Sequence, residues 1–150
     1  LDLLIPINYN TSIMNPTPQL KSLSKKERKY IELAKRVSHQ SDYAHRHGAV
    51  LVKSASVVNV SCNKNKFSSF AKRFKKKNKH FATVHAELGS VLNVERRNTE
   101  GATIYVVRTN SNDELRLSKP CDMCEEAMRW VGIKKVIYST NNDTFREMRL

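Results

Sequence analysis

Acidic residues are missing from residues 43–86, a stretch that holds Lys64, Lys66, Lys72, Arg73, Lys75, Lys76, Lys77 and Lys79. That one segment supplies most of the excess behind a formal net charge of +13. Such a concentration disfavours a cationic partner and points to phosphate-bearing ones, through attraction and counterion release. The plainer alternative is a solvated loop whose charge aids solubility. Cysteine is scarce too, with three in 150 residues, which leaves no disulfide framework and suits a reducing compartment. The expected location is therefore cytoplasmic, or nuclear if the source is eukaryotic or viral and the lysine cluster is an address. No apolar run approaches the roughly 20 residues of a membrane helix, so no membrane partner is expected.

Residues 1–13 are apolar but lack a basic leader and a small-residue cleavage site. Met14, followed by Asn15-Pro16-Thr17-Pro18, reads as a more natural start. Residues 1–23 are accordingly expected to be a loosely ordered N-terminal extension, partly a tag, and residues 24–150 a single domain of a size that can bury a core. There is no internal repeat.

Ser24 with Glu27 resembles a capping box, and Tyr30, Leu33, Ala34 and Val37 recur at helical spacing, predicting a helix over 25–40. Residues 48–52 and 57–60 are β-branched runs joined by a short polar link, which predicts a hairpin. Residues 63–81 have no clean period, and a long basic loop with one helical turn is expected there. A second helix is expected from Thr83 or Val84, turning Leu88, Val91, Leu92 and Val94 inward and ending near Asn98 or Gly101. Residues 102–107 read as a central strand. A third helix should start at Pro120, with Ser118 as its cap, and stop at Gly132. Residues 135–139 and 144–150 flank a turn signal at Asn141-Asn142-Asp143 with no room for a crossover, so they should pair antiparallel. The spacing of Met128, Trp130 and Ile133 is that of core or homo-oligomer contact.

The chemistry concentrates in His85-Ala86-Glu87 and Pro120-Cys121-Asp122-Met123-Cys124. Cys121 and Cys124, three apart at a helix start, share one face, and the helix N-terminus favours their ionised form. One imidazole and two thiolates leave a four-coordinate zinc one open position, which a catalytic zinc needs for water. Glu87 is then spare as a ligand and available to move protons. A structural zinc would instead need a fourth protein ligand, for which Cys62, His80 and His45 are candidates. Otherwise Cys62 reads as a small buried thiol, and His39, His45, His47 and His80 as surface or core histidines.

H-x-E followed by P-C-x-x-C resembles the signature of zinc nucleobase deaminases. The order of elements over residues 25–139 is also similar to that of the cytidine deaminase-like superfamily. The resemblance implies an α/β fold in three α/β/α layers, with a mixed central sheet of about five strands and, here, a C-terminal antiparallel hairpin. It implies one Zn²⁺ per chain held by His85, Cys121 and Cys124, with Glu87 as the proton carrier. The backbone amide of Ala86 would hold the base carbonyl, and Asn63 would line the sugar pocket, although Ser61-Cys62-Asn63 departs from the usual G-x-N. Ser118 and the phosphate-attracting Lys75, Lys76 and Lys77 complete the expected substrate contacts.

The implied activity is hydrolytic conversion of cytosine to uracil in a nucleoside or nucleotide, with the (deoxy)cytidine monophosphate class favoured. The alternatives are a base deaminase acting on single-stranded DNA, RNA or tRNA, and a zinc-stabilised nucleic-acid-binding module without catalysis. Three features separate this chain from common branches, one being the long step from His85 to Cys121. The link from Asn63 to His85 is long, and the hairpin ending resembles free-cytidine enzymes, which typically carry cysteine where His85 stands.

Overall fold

The computed structural model describes residues 17–75 and 83–150. Helix α1, Lys25–Ser38, begins with the complete capping box: Ser24 Oγ accepts from the Glu27 amide at 3.1 Å and Glu27 Oε1 accepts from the Ser24 amide at 2.9 Å. Its buried residues Tyr30, Ile31, Ala34 and Val37 face the first hairpin, formed by β2 (Arg46–Lys53) and β3 (Ser56–Cys62). α1 lies so close to β2 that a Cβ at Gly48 would strike the carbonyl oxygen of Ala34 and approach the Ser38 amide nitrogen to 2.7 Å. The hairpin turn places Ser54 and Ala55 at φ of 51° and 65°, the left-handed pair a two-residue turn demands, and the Tyr30 hydroxyl pins it by donating to the Ala55 carbonyl at 2.9 Å.

The central strand β6, Thr103–Thr109, pairs antiparallel with β2 and parallel with β8, Lys135–Ser139. β9 (Phe145–Arg149) returns antiparallel to β8, and an edge strand β1 (Gln19–Lys21) pairs antiparallel with β9. The order across the sheet is β1-β9-β8-β6-β2-β3, with the short β7 (Leu115–Arg116) on the end of β6. The described sheet thus has seven strands where about five were expected. Part of the difference is β1, drawn from the region expected to be a loose extension.

Strand alternation sorts the core into two clusters. Val50, Val52, Tyr105, Val107 and Ile137 pack on the α1 side. Ala49, Leu51, Ile104, Val106 and Val136 pack on the other, against α3 (Ala86–Val91) and α5 (Asp122–Trp130). The three layers are as expected.

Two predicted elements differ. The helix expected from Thr83 to about Asn98 is α3 alone, ending where Leu92 turns extended and Asn93 takes φ of 62°, a left-handed conformation that asparagine tolerates. Leu92 is consequently exposed rather than inward, and a separate turn of helix, α4, follows at Arg96–Thr99. The basic loop holds the one helical turn expected of it, the short helix α2 (Ser69–Lys72), but it also contains an unexpected strand, β4 (Lys64–Phe67), paired with β5 (Thr83–Val84).

Candidate metal centre

Both motifs arrive at helix starts. His85 is the N-cap residue of α3 and Cys121 that of α5, each in extended conformation, and neither side chain makes a capping hydrogen bond. One turn into α5, Cys124 lies on the same face as Cys121. The His85 Nδ1 atom is 3.7 Å from Cys121 Sγ and 3.3 Å from Cys124 Sγ, and all three atoms lie within 4.8 Å of one another. Ligand bonds of zinc to nitrogen and sulfur at a tetrahedral angle place such N and S atoms about 3.6 Å apart, so the donor set fits the metal. Among the described residues no fourth protein ligand joins the cluster. His45 lies on the cleft wall, Cys62 is buried opposite Gly48 in the β2–β3 hairpin, and His80 lies outside the described residues.

The two thiols differ. A hydrogen bond from Cys124 is the main reason the Cys121 thiol is lowered, to about 4, against its burial and with help from His85. Complete burial pushes Cys124 the other way. A divalent cation seated between them would displace the remaining proton and compensate both anions. The His85 imidazole is raised by its hydrogen bond to Cys121, against its burial. Glu87, on the first turn of α3, is buried beside the cluster, and desolvation pushes its carboxyl up to about 7 even though the His85 charge opposes this.

The cluster opens into a cleft of about 320 Å³ with Ala86, Glu87, His85 and Cys121 at its foot. Tyr43, His45, His47, Asn63, Thr83 and Lys119 form its walls and rim. Asn63 is therefore at the cleft, but its side chain ties the wall together. Oδ1 accepts from the His47 amide at 2.9 Å, and Nδ2 donates to the His45 carbonyl at 2.9 Å. Burial lowers the His47 imidazole to about 4, against its bond to the His45 carbonyl and with help from the Arg108 charge, so it is neutral at pH 7.

Ser118 neither caps α5 nor lines the cleft. It is buried, and its hydroxyl donates to the Val106 carbonyl at 2.9 Å and accepts from the Ser139 amide at 2.9 Å, clamping β6 to β8. A buried hydroxyl next to a strand end finds the orphan backbone groups there before any helix start. Lys75 follows α2 and is not a cleft residue, while Lys76 and Lys77 lie outside the described residues. The rim cation is Lys119, which sequence reasoning missed although it stands two residues before Cys121. Tyr43, His47 and Thr83 were missed as well, and His45 was considered only as a fourth zinc ligand.

The fold is similar to that of the dCMP deaminase from the cyanophage S-TIM5 in its apo crystal structure, with 23% identity over 75% of this chain and 81% of that one and a TM-score of 0.51. It is also similar to two forms of Acinetobacter baumannii RibD, with 22% identity and a TM-score of 0.43. There the match covers 75% of this chain and only 26% of the RibD chain. No curated protein sequence matches significantly. Residues 24–140 match the profile of the cytidine and deoxycytidylate deaminase zinc-binding region, a span that holds all three cluster residues. The chain belongs to this family of zinc-dependent deaminases.

Proposed function

We propose that the protein is a zinc-dependent hydrolytic deaminase that converts cytosine to uracil in a nucleotide, with the (deoxy)cytidine monophosphates as the favoured class. The observation that carries this reading is the convergence of three ligands, without a fourth protein donor among the described residues, at the foot of a cleft beside a buried carboxyl. His85 Nδ1 and the Cys121 and Cys124 thiolates would hold the zinc, which when bound makes a water acidic enough to ionise near neutral pH.

Glu87 is the proton carrier in this scheme. Its carboxylate takes a proton from the attacking water, gives it to the ring nitrogen N3 of cytosine, and afterwards assists the transfer of a proton to the departing amino group. Water and cytosine leave as uracil and ammonia, so no redox partner is needed. Desolvation of Glu87 supports this use, because a carboxyl whose proton affinity sits near neutrality can both accept and return a proton. The backbone N–H of Ala86, a cleft-lining residue in the first turn of α3, would donate to the base carbonyl. Asn63 acts by holding the His45–His47 wall, and Lys119 at the rim supplies the cation for the phosphate.

Zinc-loaded protein offered free cytidine, the cytidine and deoxycytidine monophosphates and the corresponding adenosine compounds tests the reading, with products identified by mass. Turnover of a cytosine monophosphate well above that of free cytidine is expected, with Lys119→Gln raising its KM more than it lowers kcat. Turnover of an adenosine compound instead would overturn the base assignment. Equal use of cytidine and its monophosphates would overturn the role of Lys119.

A further inference from the structure

The two-stranded β4–β5 ribbon is a partition. On one side Thr83 faces the cleft, and Asn65 bonds toward the cleft wall, accepting from the Tyr43 hydroxyl at 3.3 Å through Oδ1 and donating its amide to Asp42 Oδ1 at 3.3 Å. On the other side a second, open groove of about 400 Å³ runs between the ribbon, the edge strand β3 and the end of α3. Lys64, Lys66 and Phe67 all face this groove. Simple alternation would send Phe67 to the opposite side from Lys66. The pairing of Lys64 with Val84 and of Phe67 with Thr83 leaves extra residues on β4, and the resulting bulge swings Phe67 round to join the lysines.

Every residue of β4 is exposed, and Phe67 is 64% exposed, an unusual state for a phenylalanine in a paired strand. No acidic residue lines the groove among the described residues. It is also lined by Phe70, whose ring begins a cluster of rings around Arg73. The Arg73 guanidinium lies 5.8 Å from the Phe70 ring centre and 5.4 Å from that of Trp130, which is itself 57% exposed. An exposed aromatic interleaved with lysines, in a groove that no carboxylate lines among the described residues, matches the chemistry of a single strand of nucleic acid. Bases offer flat faces for stacking, and phosphates offer one negative charge per residue. An anionic protein would supply the charge but no reason for exposed flat rings beside lysines.

We propose that this groove is a binding surface for single-stranded nucleic acid, with Phe67 stacking a base and Lys64 and Lys66 meeting consecutive phosphates. The surface lies outside the metal cleft, and binding there does not depend on deaminase activity.

The test is fluorescence anisotropy of the full zinc-loaded chain with a labelled thymidine oligonucleotide of about 15 nucleotides, a length that covers one such site. Thymidine keeps the result independent of cytosine chemistry. Single-strand binding that weakens steeply with salt and exceeds duplex binding is expected. Lys64→Gln combined with Lys66→Gln should flatten the log–log salt slope by about 1.4, at about 0.7 per phosphate contact for a single strand. Phe67→Ala should weaken binding roughly tenfold, as loss of one stacked base does. All three side chains are exposed, so thermal melts should be unchanged and misfolding is separable. Duplex or heparin bound as tightly as the single strand would overturn the proposal in favour of a general polyanion surface. Absent binding at low salt, or binding untouched by these variants, would overturn it outright.

Discussion

Helix α1 on one face of the sheet and helices α3 and α5 on the other cover the same strands, but they begin in opposite ways. α1 spans 14 residues and satisfies its first amides with a complete capping box. α3 has six residues and α5 nine, and their N-cap positions are given to His85 and Cys121, which cap nothing. A serine or aspartate at such a position is worth about 1 kcal/mol, so the site face forgoes that stabilisation twice. A six-residue helix has no stability of its own. α3 is held by Leu88 and Val91 in the core and, once zinc is bound, by the metal that would join its start to that of α5. Capping is thus complete on the face without chemistry and forgone where side chains must converge.

Removing the metal should break this contrast most. If zinc ties the two helix starts together, chelation should destabilise the wild-type protein by about 4 kcal/mol relative to a zinc concentration a thousandfold above Kd. Cys124→Ser should already melt at the lower temperature and be insensitive to chelator, as calorimetry or thermal melts with metal analysis would show. On the α1 face, Gly48→Ala should cost about 1–3 kcal/mol, because its Cβ meets backbone atoms of α1 that cannot rotate aside. Ser24→Ala should cost about 1 kcal/mol in urea unfolding while leaving turnover per folded molecule unchanged.

The smallest effect is one of pH, on the capped face alone. Burial would raise the Glu27 carboxyl, but its bonds to the Ser24 amide and the Tyr105 hydroxyl, with the charge of Lys21, bring it below its ordinary 4.5. A group lowered on folding stabilises above its unfolded value, and that contribution is lost as pH falls through the folded value. The stability difference between wild type and Glu27→Gln should therefore be constant from neutrality down to about pH 4.5 and shrink below it.

These contrasts also mark what could be read from the residues. The capping box, the strand Lys135–Ser139, its antiparallel return and the pairing of His85 with Cys121 and Cys124 were legible, because each rests on local pattern or on ligand chemistry. The break after Val91 was not. Apolar spacing runs on to Val94, and only the left-handed Asn93 interrupts it. β4 and β1 are strands because of partners far off in the chain, and neither has alternation of its own. Apart from Asn63, the cleft wall was illegible for the same reason, since the segment of His45 and His47 and that of Lys119 are distant in the chain and only the fold brings them together. Ser118 misled because a hydroxyl near a helix start looks like a cap until the strand ends beside it are known.

Whether the buried carboxyl beside the cluster moves protons or supports the metal is decided most directly by Glu87→Gln, followed in parallel for bound zinc and for turnover of deoxycytidine monophosphate. A proton carrier at this position predicts one zinc per chain, an unchanged melting temperature and a turnover lower by at least about 10²-fold, the span of a lost general acid–base. Full turnover in the variant would remove Glu87 from the chemistry. Loss of the zinc along with activity would make the carboxyl part of the metal's own support, against the division of labour between Glu87 and the three ligands.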